Sequence, residues 1–235
     1  MMRSIILILC TVFLQSVIAQ KSLKFDSPDR EYEKALELYK LEKFGLARIH
    51  FSNYVSAQQD AVSSRVAEAA YLERVCAQKL NNEDVLFLWE EYEKSYPYSN
   101  RLPYAYMNVG DYFKNKGKHR QATRWFEKVR PKGLDKDTRI DYYFSYGYSL
   151  FSTEEYDRAL SMFNQIKDAD HEYYSSVKYF YSHIHYVKGN YQTALDGFIE
   201  LEDDKGFKKV VPFYIAQIYY LQEDYDNAIK YALPL

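Results

Sequence analysis

The residues with most to offer chemically are histidines and carboxylates. His171-Glu172 opens like a zinc-protease helix, where a second histidine four residues after the first completes a ligand pair on one face, but Ser175 occupies that position. His183 and His185 are two residues apart, so on a helix they point to different faces and cannot share an ion. Both are expected to be structural. Asp168, Asp170 and Glu172 alternate like the start of a calcium loop without its remaining ligands. Glu90 and Glu91 are adjacent on a helical segment and diverge. Cys76, the only cysteine after Cys10, has no histidine near it in sequence to act as a base. The eight glycines are isolated, so no glycine run can cradle phosphate, and no Gly-x-Ser-x-Gly elbow occurs. The sequence therefore assigns no catalytic, cofactor-binding or metal-binding residue and implies no cofactor, which points away from an enzyme.

Tyrosine, by contrast, is abundant. There are 26 tyrosines and 14 phenylalanines among 235 residues, and such side chains offer large contact area at low entropic cost. With 47% hydrophobic residues the chain can build a core, and only 8 glycines and 6 prolines disfavour an all-β sandwich with its frequent turns. The net charge of −2 is too small to steer the chain toward nucleic acid. Between Lys114 and Lys136 nine basic residues face only Glu127 and Asp135, an excess of 9 − 2 = 7. Helical spacing scatters them over a turn, an outer helix face and a loop, and this favours a solvated surface over phosphate recognition.

The first residues have the form of an export signal: Arg3, an apolar run from Ile5 to Leu14, and a small residue, Ala19, before Gln20. The apolar run falls short of the roughly 20 residues a membrane span needs. We expect cleavage after Ala19, a signal peptide over 1–19, and an exported, periplasmic or envelope-associated chain. That leaves Cys76 unable to form an intrachain disulfide.

The elements that must position these residues follow from an internal repeat. A triplet spaced i, i+3, i+7 recurs as Phe44, Ala47, Phe51; Val85, Leu88, Tyr92; His119, Ala122, Phe126; Tyr156, Ala159, Phe163; Tyr191, Ala194, Phe198; and Tyr225, Ala228, Ala232. Its middle member recurs at separations of 41, 34, 37, 35 and 34 residues. Nine residues before each triplet stands a small residue: Ala35, Cys76, Gly110, Gly147, Ser182 and Ala216. A small residue on one helix, a short turn and an apolar stripe on the next describe antiparallel helix pairs in close contact. Gly117 and Gly189 stand in the turn of pairs three and five, where a left-handed residue ends a helix, and Glu42, Glu83, Glu154 and Glu223 take that place elsewhere.

Pairs of about 34 residues with these motifs resemble the tetratricopeptide repeat, best matched by Tyr106 to Phe126 and by Tyr143 to Phe163. The resemblance implies an all-α, right-handed α-solenoid of about six helix pairs, at 27–57, 65–96, 102–130, 137–167, 171–202 and 206–235. It places the domain over 20–235 and implies continuation beyond the last residue or packing of that end on a partner. It also implies that the first helix of each pair faces a concave side. The groove stripe is then Phe144, Tyr148 and Phe151; Tyr179, His183 and Tyr186; and Phe213, Gln217 and Tyr220. The opposite stripe is apolar too, so these side chains either pack between neighbouring pairs or line a partner-binding groove. No alternation of Lys and Asn supplies a clamp for a chaperone's C-terminal carboxylate. The expected function is an exported, non-enzymatic scaffold or assembly factor that recognises a peptide or partner helix, with peripheral envelope association as a further expectation and no nucleic-acid partner. The alternatives are a glycan-binding helical repeat and the N-terminal region of a larger signalling or enzymatic protein. The leader and the Tyr/Lys-rich repeats also look like envelope proteins of Bacteroidetes-type bacteria.

Overall fold

The structure is a computed structural model that describes residues 28–58 and 63–233. The expected signal peptide, the first residue of the first repeat, part of the loop 56–64 and the last two residues lie outside the described residues. Twelve α-helices and no strand occur among the described residues. They group into two compact units, one up to Leu102 and one from Pro103.

The first unit holds α1 (Pro28–Lys40), α2 (Phe44–Ala57), α3 (Ser64–Lys79) and α4 (Val85–Ser95). The small residues Ala35 and Cys76 are fully buried, as are Ala47 and Phe51 of the first triplet. Burial pushes the Cys76 thiol up to about 12, so it is an inert packing residue. Ser63 caps α3 by accepting a hydrogen bond from the Val66 amide at 3.3 Å.

Pair two corrects the expected register. Leu88 is only half-buried, and the interior is filled by Val85, Trp89 and Tyr92. Spacing of i, i+4, i+7 makes an equally good helical stripe, and the largest side chain takes the inside. The Trp89 indole donates to Gln78 Oε1 at 2.9 Å, so its N–H is satisfied where the ring is buried. The Tyr92 hydroxyl donates to the Ala67 carbonyl at 3.1 Å.

The second unit contains α5 (Leu102–Asn115), α6 (His119–Phe126), a short 3₁₀ turn (Pro131–Gly133), α7 (Lys136–Ser152), α8 (Tyr156–Phe163), α9 (Tyr174–Val187), α10 (Tyr191–Ile199), α11 (Val211–Leu221) and α12 (Tyr225–Ala232). Within each pair the small residue admits the end of the facing triplet. A Cβ added at Gly110 would lie 2.5 Å from Phe126 Cε1, and one at Gly147 would lie 2.6 Å from Phe163 Cε1. Asp135 caps α7 and is held down to about 2 by the Thr138 amide and hydroxyl. Trp125 of α6 is half-buried, with the Lys128 ammonium 4.2 Å from its ring centroid.

All six first helices end on the same turn, with a left-handed residue and a backbone bond that spans it. That residue is Glu42, Gly117, Glu154, Gly189 or Glu223 in five pairs and Asn81, not Glu83, in pair two. The spanning bonds include Lys43 N to Leu38 O at 2.8 Å, Asn82 N to Ala77 O at 3.1 Å and Asn190 N to His185 O at 2.8 Å.

Candidate functional site

Successive first helices of the second unit meet along aromatic seams. The positions five before, one before and two after the small residue face the preceding pair. In α7 these are Tyr142, Tyr146 and Ser149, all buried, and Tyr142 and Tyr146 pack on Phe126 with ring centroids 6.2 and 5.7 Å apart. In α11 they are Val211, Ile215 and Ile218, fully buried against Ala194, Leu195 and Phe198.

The expected groove stripe divides into two parts. Six of its members face aromatic partners of the next pair or of their own. Phe144 stacks on Tyr173 at 4.1 Å, Tyr148 and Phe151 pack on Phe180 at 5.3 and 4.8 Å, and Tyr179 stacks on Phe207 at 4.8 Å. His183 sits edge-on to Phe151 and Tyr214, each at 5.3 Å. The Tyr186 hydroxyl donates to Gln217 Oε1 at 2.8 Å. These six residues are half-buried, and desolvation raises the Tyr179 and Tyr186 phenols and lowers the His183 imidazole from their ordinary values. The partner aromatics Tyr173, Phe180 and Tyr214 were missed in sequence; Phe180 and Tyr214 share one register position, two residues before the small residue of pairs five and six.

Of the remaining members, Phe213 and Tyr220 open to solvent, while Gln217 is half-buried beside Tyr186. With Tyr186 and the α12 residues Tyr225 and Ile229 they line a cleft of about 670 Å³ that has no charged side chain in its wall. Phe213 is 49% exposed, Tyr220 64% and Ile229 55%. The α12 contribution went unnoticed in sequence, although Tyr225 and Ile229 stand where pair five has Tyr191 and Leu195, 34 residues earlier. Such a wall can bind apolar or aromatic groups, and Gln217 and the phenols supply the polar contacts.

Elsewhere, several charged groups are paired or packed on rings. Lys114 lies 2.7 Å from Asp111 and donates to Ser145 at 2.6 Å. Within the basic run, Lys116 stands 4.1 Å from the Tyr112 ring centroid and Lys128 packs on Tyr106 and Trp125. His171 bonds the Ile166 carbonyl and the Tyr173 amide, and His183 and His185 lie on opposite sides of α9, His185 against Tyr181 at 4.5 Å. No group of three or more His, Cys, Asp or Glu residues among the described residues could hold a metal ion. No described helix is long and apolar enough to cross a membrane.

Helix pairs of this length, a small residue opposite each triplet and a shared left-handed turn define the architecture. The fold is that of the tetratricopeptide repeat. Solved TPR structures superpose on most of the chain. The C-terminal part of a TPR repeat-containing protein from Cytophaga hutchinsonii matches with a TM-score of 0.65 and 19% identity, over 92% of this chain and 85% of that one. YrrB, a TPR protein with an unusual peptide-binding site, matches with a TM-score of 0.61 and 14% identity, over 82% of this chain and 94% of that one. Pseudomonas aeruginosa PilF matches with a TM-score of 0.54 and 15% identity, over 88% and 90%. No protein-family model and no curated protein matches the sequence. At these identities the likeness is one of TPR fold.

Proposed function

We propose that this chain is an exported, non-enzymatic scaffold that binds a protein or peptide partner through the open aromatic cleft formed by Phe213, Gln217 and Tyr220 with α12. The carrying observation is the contrast within one repeated stripe, whose members are packed by neighbouring rings in pairs four and five, whereas Phe213 and Tyr220 of pair six are exposed. Contiguous exposed apolar surface rimmed by polar residues supports a protein-binding role. YrrB, a TPR protein of similar fold, has a peptide-binding site. Export rests on the leader pattern over 1–19, with the periplasm or cell envelope as the destination. The absence, among the described residues, of any group of three or more His, Cys, Asp or Glu residues that could hold a metal is consistent with a binding role.

The test is crosslinking capture from an envelope extract, followed by titration of the purified client against the parent chain and a Phe213→Ala, Tyr220→Ala variant. Both substituted residues are exposed, so the fold should persist. The packed Tyr148 and Tyr179 would confound binding with stability. A client that binds the parent and loses affinity for the variant supports the proposal. Equal affinity for both, or no client for a folded parent, refutes it.

A further inference from the structure

We infer that the exposed face of α6 is a separate docking surface, which takes an acidic segment of a partner protein through Lys118, Arg120 and Arg124. It goes beyond the cleft and does not depend on it. Arg120 and Arg124 stand one turn apart on α6, Lys118 is the N-cap, and all three are exposed. The structure sets them apart from the rest of the basic run. Lys114 is paired with Asp111, Lys116 lies over Tyr112, and Lys128 lies over Tyr106 and Trp125. Among the described residues, Lys118, Arg120 and Arg124 are held in no ion pair. Glu127, the carboxylate that follows α6, is taken by Arg158 at 2.6 Å. Cations on other second helices are paired, Arg48 of α2 with Glu73 at 3.6 Å and Arg158 of α8 with both Glu127 and Glu155.

These cations also work against the helix that carries them. The first turn of a helix is its positive end and favours carboxylates. At the position of Arg120, α8 has Asp157 and α12 has Asp226. The first turn of α6 has no acidic residue; it holds Arg120 behind Lys118, and Arg124 adds a like charge at i+4. Carboxylates of a partner would relieve that repulsion, and local rules broken without compensation inside the fold mark functional surfaces.

The surroundings select the partner. Arginines one turn apart match carboxylates at i and i+4 of an acidic helix, and each guanidinium can take a carboxylate through two parallel hydrogen bonds. A bilayer fits less well, since no large apolar side chain between residues 114 and 139 is exposed to enter it. Nucleic acid also fits less well. Lys116 and Lys128 cover nearby rings on which bases would stack, and the chain as a whole carries a net charge of −2.

The experiment uses the intact chain and a fluorescent alanine-based helical peptide with glutamate at every fourth position, with its glutamine counterpart as control. Saturable anisotropy binding of the glutamate peptide alone, weakened by added salt and about tenfold or more by Arg120→Gln with Arg124→Gln, supports the inference. Both arginines are exposed, and circular dichroism checks that helicity persists. Removing equal charge from another exposed site, by Lys205→Gln with Lys208→Gln, should leave the affinity unchanged, as should Phe213→Ala with Tyr220→Ala in the cleft. Absence of saturable binding, or the same loss in either comparison variant, overturns the inference. Tighter, arginine-dependent binding of anionic phospholipid vesicles or of single-stranded DNA overturns it by assigning the face to headgroups or to nucleic acid. A parent that sediments as a dimer, split by the arginine substitutions, overturns it by assigning the face to a second copy.

Discussion

Substituting Gly147 by alanine adds one methyl group and should unfold the second unit more easily. The new Cβ would stand 2.6, 2.9 and 3.1 Å from Cε1, Cδ1 and Cζ of Phe163, whereas carbon atoms rest at about 3.5–4.0 Å. Phe163 has no free direction of retreat, being fully buried and lying nearly parallel to the Phe180 ring, 12° apart. α7 and α8 must therefore separate. Overpacking of this kind costs about 1–3 kcal/mol, and three close contacts against a fixed ring place it near the top of that range. Alanine's better helix propensity returns about 1 kcal/mol, leaving a net loss of about 2 kcal/mol. For a body of this size the thermal midpoint should fall by roughly 5–10 °C. The same change at Gly45 in α2, where nothing lies within 4 Å of the added Cβ, should instead stabilise by about 0.5–1 kcal/mol. Thermal unfolding followed by circular dichroism, with a double-mutant cycle using Phe163→Leu, measures the contact itself: the leucine should relieve part of the Gly147→Ala loss. A Gly147→Ala protein that melts with the parent, or strictly additive effects in the cycle, would refute the contact.

In pair two, Trp89→Ala should cost about 3–5 kcal/mol and Leu88→Ala clearly less, because only the indole is fully enclosed; urea unfolding curves of both variants decide between the two registers. His119, His183 and His185 each have a lowered imidazole pKa, chiefly from burial, so between their unfolded value of about 6.5 and their folded values the unfolded chain binds more protons. Stability of the second unit should therefore fall as pH drops below about 6.5, and His183→Phe should flatten part of that slope in melting curves taken from pH 7.5 to 5. A parent equally stable across that range would contradict the burial of these rings.

The fold was legible because the first five pairs repeat the same steric requirement. A bulky ring at the end of the triplet needs a small residue opposite, as at Gly110–Phe126 and Gly147–Phe163. Pair two was misregistered because Leu88 also satisfies an apolar middle position, while Trp89 gives an equally regular stripe one position along. Asn81, a residue that tolerates the left-handed region better than glutamate, could have revealed the displaced turn. The site was only partly legible. Phe144 and Phe213 occupy equivalent positions in the same motif, but one is stacked on Tyr173 and the other faces solvent. That difference depends on what lies one repeat further on, which a stripe read on a single helix does not contain.

The placement of the two tryptophans gives each unit its own optical reporter. Trp89 lies inside the first unit beside Tyr92, and Trp125 lies in the second under Lys128. With excitation at the red edge, beyond tyrosine absorption, the 26 phenols fall silent and emission comes from one ring per unit. Trp125→Phe leaves a signal from the first unit, and Trp89→Phe leaves one from the second. The opening of each helix-pair stack can thus be timed separately in a single chain, without attaching a dye.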